Sequence, residues 1–154
     1  MRSVTFVCVL LSLSGTLSCD DGSEPQTGRI SAMPLRLTFG DQVATATLYN
    51  NPTSRDFVSL LPLTLTLKDY AATEKVSDLP RQLSTHGAPP GSDPAIGALT
   101  YYAPWRNLAL FYKDFGYSRG LIKLATLDCG LDAFAAVRPV TVTIELINAG
   151  PAAR

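Results

Sequence analysis

Residues Tyr101–Tyr112, YYAPWRNLALFY, place five aromatic rings and an arginine within twelve positions. Such a run suits noncovalent recognition, because rings supply large rigid contact area and a guanidinium pins polar groups. Tyr102, Trp105 and Phe111 would form the wall of a ligand groove, with Arg106 and Arg81 as polar anchors. The same residues serve equally as core and rim packing, since aromatic side chains are common strand formers. Trp105 is the only tryptophan and follows Pro104 in a turn, a costly place for an indole without a partner.

Other chemistries fail on supply. One histidine, His86, and few cysteines cannot assemble a zinc or haem ligand set. Asp114, Asp128 and Asp132 fit no calcium-loop spacing and suit caps and turns. No Gly-x-Ser-x-Gly elbow and no glycine-rich phosphate loop occurs. The sequence therefore implies no metal, no cofactor and no hydrolase or transferase site. Its 13 basic and 13 acidic residues are scattered, giving no long-range pull toward nucleic acid.

The elements that must position the aromatic run can be read along the chain. Met1–Ser18 has the form of an export signal: Arg2, then an apolar run over Val4–Leu13 too short to span a bilayer comfortably. Gly15-Thr16-Leu17-Ser18-Cys19 resembles a bacterial lipoprotein cleavage box, with Thr16 where leucine is usual. The expectation is cleavage before Cys19 and its acylation, an anchor on the periplasmic or extracytoplasmic side. An ordinary secretory signal is the alternative. Cys8 then leaves with the signal and lipid blocks Cys19, so Cys129 is expected alone, without an internal disulfide. Polar residues 19–33 form a tether with an r.m.s. reach of ~20 Å, and the domain spans 34–148, with 149–154 as a tail.

Alternating apolar and polar residues predict strands over Leu35–Phe39 and Val43–Tyr49, joined by a turn at Gly40-Asp41-Gln42. Thr53 is the expected N-cap of a helix Ser54–Leu61, with Asp56 completing a capping box and Pro62 ending it. So short a helix needs packing, most simply against an open barrel end. Further strands are expected at Leu63–Lys68, Lys75–Leu79, Leu99–Tyr102, Leu108–Tyr112, Gly120–Leu127 and Val140–Ile147, with a second helix at Leu131–Val137. Ser84–Ile96, rich in proline and glycine, is a long surface loop. Seven or eight short strands and two helices make the chain mainly β, a sandwich or a closed barrel.

TSRDFVSLLPLTLTLKDY (Thr53–Tyr70), EKVSDLPRQL (Glu74–Leu83), YYAPWRNLALFY and FGYSRGLIKL (Phe115–Leu124) together resemble the bacterial cyclophilin-like proteins, over Leu35–Ile147. The resemblance implies a closed or nearly closed eight-stranded barrel capped by two short helices. Two positions depart from it: Ala98 stands where relatives more often carry an acid, and Arg106 where glycine is usual. True cyclophilins isomerise prolyl bonds with an arginine in a Phe-His-Arg run and a Phe-x-x-Gln stretch, and neither occurs here. The expectation is a lipid-anchored binding module for a peptide or small ligand, without catalysis; a weak peptidyl-prolyl isomerase of the envelope is the alternative. Relatives are sometimes joined to a flavodoxin-type domain, so such a protein is a further candidate partner.

Overall fold

The computed structural model describes residues 33–136 and 138–147. The export signal, Cys19, most of the tether and the tail at 149–154 lie outside the described residues. Eight strands close into one antiparallel barrel: β1 (Pro34–Phe39), β2 (Gln42–Leu48), β3 (Leu63–Tyr70), β4 (Glu74–Asp78), β6 (Ala98–Tyr102), β7 (Asn107–Phe111), β9 (Leu121–Cys129) and β10 (Val140–Leu146). Their order around the wall is β1-β10-β3-β4-β7-β6-β9-β2, with β2 pairing back to β1. Two-residue strands β5 (Gly91–Ser92) and β8 (Ser118–Arg119) pair outside the barrel, an element the loop reading over Ser84–Ile96 misses.

Side-chain alternation builds two separate apolar layers. Leu35, Leu37, Leu67, Leu99, Tyr101, Leu108, Leu110, Val142 and Ile144 point inward and are almost fully buried. Their strand neighbours Ala109, Phe111 and Leu121 point outward and still are buried, in a second cluster with Val76 and Tyr102. Of the adjacent tyrosines, Tyr101 fills the barrel, its hydroxyl accepting from the Leu83 N–H at 3.2 Å, while Tyr102 faces out.

Both barrel ends are plugged by a phenylalanine on a short helix. Phe57 of α1 (Pro52–Val58) is wholly buried, as is Phe134 of α2 (Leu131–Ala136), which lies 4.2 Å from Phe39 beside the β1–β2 turn. Helix α1 starts earlier than Thr53 predicts. Asn51 is the N-cap, its Oδ1 accepting from the Ser54 N–H at 2.8 Å, and Pro52 occupies the first turn, where its missing N–H costs nothing. Thr53 and Ser54 instead face inward, donating to the Ser84 and Leu124 carbonyls. Asp56 closes no capping box. Its carboxylate accepts two bonds from Arg81, at 2.7 and 3.0 Å, and one from the Ser84 N–H at 2.6 Å.

The Arg81 hydrogen bonds, helped by Ser84, hold the Asp56 carboxyl at about 2 against the opposing effect of burial. In the unfolded chain the group returns to its ordinary 3.8. Its stabilisation is therefore complete above that value and fades as pH falls toward about 2. Asp56→Asn is expected to flatten the loss of stability between about pH 4 and pH 2, read from urea midpoints across that window.

Cys129 is disulfide-bonded, which corrects the expectation of a lone thiol. Thr45 Oγ1 lies 3.4 Å from its sulfur.

Candidate functional site

Strand register on the outer wall decides what gathers around Trp105. On β7, Asn107, Ala109 and Phe111 share one face; Val76 and Glu74 lie across from Ala109 and Phe111 on β4, and Tyr102 lies across from Asn107 on β6. Leu121 on β9 pairs with Tyr102. These residues floor a cavity of about 190 Å³ on the outside of the barrel. Tyr70 at the end of β3, Ser118 of β8, and Trp105 and Phe115 from the connections between strands form its walls.

Trp105 meets Tyr70 and Tyr102 edge-on, with centroids 5.5 and 5.3 Å away and planes 82° apart in each case. Phe111 and Phe115 lie 5.7 Å apart. Each edge-to-face contact engages the edge of one ring and one face of the other, which fixes the rings against one another. Trp105 is 54% exposed, so its packing against the two tyrosines leaves much of the indole available.

Two turns set these walls. Tyr70 and Glu74 flank a β3–β4 turn in which Ala71 and Ala72 both adopt positive φ, 49° and 51°. Trp105 precedes Arg106, whose φ is 58°. That left-handed backbone is the physical reason glycine is usual there, and an L side chain costs about 1–2 kcal/mol in it. Gly120 supports the same turn from below, at φ +82° and with Pro104 Cδ only 2.8 Å from where a Cβ would sit. Gly120→Ala is expected to push Pro104 and the indole outward and to cost about 2 kcal/mol through strain and contact together. A red shift of native Trp105 fluorescence with a lower urea midpoint would show it.

Three of the five expected ligand residues, Tyr102, Trp105 and Phe111, thus line one cavity. The two expected anchors do not. Arg81 is committed to Asp56 and Ser59 at the end of α1, and exposed Arg106 lies outside the lining. The polar groups that do line it are Glu74, Asn107 and Ser118 with the tyrosine hydroxyls and the indole N–H. Sequence reasoning passes over Tyr70, Glu74, Asn107 and Phe115. Alternation along β4 puts Glu74 and Val76 on one face, but only the β4–β7 register shows that this face is Phe111's.

Burial raises the Glu74 carboxyl above its ordinary range. Asn107 is 5% exposed and its buried Oδ1 has no hydrogen-bond partner among the described residues. Among the described residues no three His, Cys, Asp or Glu side chains gather as a metal site, and no helix is long and apolar enough to cross a membrane.

A family model described as the cyclophilin-like family matches residues 37–145. The chain belongs to the cyclophilin-like family. The solution structure of a hypothetical protein from Archaeoglobus fulgidus is similar to this cyclophilin-like barrel, with a TM-score of 0.54 at 16% identity, covering 78% of this chain and 98% of that one. At that identity the likeness concerns the fold alone. No curated protein matches the chain in sequence.

Proposed function

We propose that this cyclophilin-like barrel is a binding module without catalytic chemistry, taking a peptide side chain or compact small ligand against Trp105. The observation that carries the reading is the aromatic cavity on the outer wall, whose lining includes no arginine or lysine. Prolyl isomerisation needs a strong donor over the proline nitrogen to lower a barrier of about 18–20 kcal/mol. The lining supplies none that is cationic, which favours binding over turnover. At about 190 Å³ the space is smaller than the roughly 300–1,000 Å³ of drug-sized pockets, so one side chain or headgroup fills it.

Titration with short peptides, proline-containing ones included, while following the single indole tests this reading. Saturable change is expected; no change at millimolar peptide with the barrel intact would sink the peptide groove. A protease-coupled isomerisation assay is expected to show no acceleration.

The Cys19 box supports export and a lipid anchor holding the barrel on the extracytoplasmic side. A flavodoxin-type protein remains a proposed partner, to be sought by co-purification of flavin. A thioether at Cys19 and a disulfide drawing on that residue exclude one another, because both consume the same sulfur. The intact mass of the mature chain separates them: added acyl chains support the anchor, and a loss of two hydrogens without acyl mass ends it.

A further inference from the structure

We propose that the guest of the Trp105 cavity is a protonated, alkyl-substituted amine, a refinement that rests on the cavity being a binding site at all. Three features of the lining converge on it. Trp105 stands nearly perpendicular to both Tyr70 and Tyr102, 5.5 and 5.3 Å between centroids, and aromatic ring faces attract cations through their negative quadrupole. Among the described residues Glu74 is the only carboxylate in the lining, and no basic side chain there offsets it. Among the described residues Glu74 forms no salt bridge, whereas Asp56 and Asp69 are both matched to cations.

Asn107 adds the third feature. It lines the cavity, is more than nine-tenths buried, and its amide oxygen, enclosed beneath the surface, meets no donor among the described residues. An unmet buried acceptor is costly, and a turn of the amide toward the cavity lets an incoming N–H⁺ meet it. A carboxylate ligand would face Glu74 without any cation to receive it, and a purely apolar guest would leave both Glu74 and Asn107 desolvated and unmatched. An ammonium with alkyl groups satisfies all three: charge toward Glu74, N–H toward Asn107, alkyl surface on the rings.

Two isosteric probes isolate the charge: dimethylaminoethanol, protonated at pH 7.5, and neutral 3-methylbutan-1-ol. Each is titrated into the folded protein while Trp105 fluorescence is followed. The amine is expected to bind at least tenfold tighter than the alcohol, and Glu74→Gln to bring the ratio below about threefold. Equal affinities in the native protein would overturn the charge assignment while leaving the binding reading standing. A ratio unchanged by Glu74→Gln, with the variant folded, would overturn the role of Glu74. Absence of saturable change with either probe to tens of millimolar overturns the inference; if the peptide titration is also blank, the binding reading falls with it.

Discussion

Asp69→Ala is expected to destabilise the barrel by about 3 kcal/mol, a large fraction of the stability of a single domain. Lys75 lies on the inward face of β4 and is fully buried, with its Nζ 3.2 Å from both Asp69 carboxylate oxygens and 5.6 Å from the Tyr112 ring centroid. Tyr112 donates to the same carboxylate at 2.8 Å, and Arg138 Nε approaches it at 3.3 Å. Burial pushes the Asp69 carboxyl up, but hydrogen bonds from Tyr112 and Lys75 and the charges of Lys75 and Arg138 prevail and hold it below its ordinary range. Burial, with the same carboxylate, raises the Tyr112 phenol.

Deleting the carboxylate leaves the Lys75 ammonium inside the barrel without its carboxylate partner, and it removes the acceptor of Tyr112. The loss is thus larger than the pair's net worth, since the desolvation of Lys75 has already been incurred. Lys75→Met in the same chain is expected to recover most of the deficit, because a thioether of similar length fills the space without charge. Urea unfolding of the two single variants and the double variant checks this as a cycle. Additive losses would show that the two groups do not depend on one another.

Much of this architecture is legible in the residue order, and the failures have identifiable causes. Strands such as Leu63–Tyr70 and Val140–Leu146 announce themselves because one face is buried and the other wet, so leucine or valine alternates with threonine. Barrel closure rests on the family resemblance, since alternation alone leaves a sandwich equally open. Helix α1 starts two residues before the position that Thr53 predicts, because Thr53 and Ser54 spend their hydroxyls on carbonyls 31 and 70 positions away. A local capping rule has no access to such partners. In the site, Tyr102 and Phe111 follow from alternation beside Trp105. Tyr70, Glu74 and Asn107 join them only through pairing between strands, and chemical type alone points to Arg81 as an anchor although its guanidinium is bound to Asp56. Buried Lys75 defies its usual exposure for the same reason: Asp69 sits across a turn that the sequence shows only as Ala71-Ala72-Thr73.

Phe57→Ala is expected to cost about 3–5 kcal/mol, the range for emptying a fully buried phenylalanine site. The cost should fall at its upper end, because α1 has only seven residues and no independent stability. Its ring is the apolar contact that seats the helix in the barrel mouth, while Asn51 and Ser54 tie it to the Lys123 and Leu124 carbonyls of β9. Alanine leaves those polar bonds to hold the helix over a vacated core, where water gains access to them. The outer cavity lies on the opposite side of the β-wall from this core, and its aromatic walls do not touch Phe57 in forming their own packing. Native Trp105 fluorescence in dilute buffer should therefore stay unchanged while the urea midpoint drops sharply. A variant whose indole emission shifts before unfolding begins would mean that the plug and the cavity are one cooperative unit, and the two apolar layers could not be treated as separate.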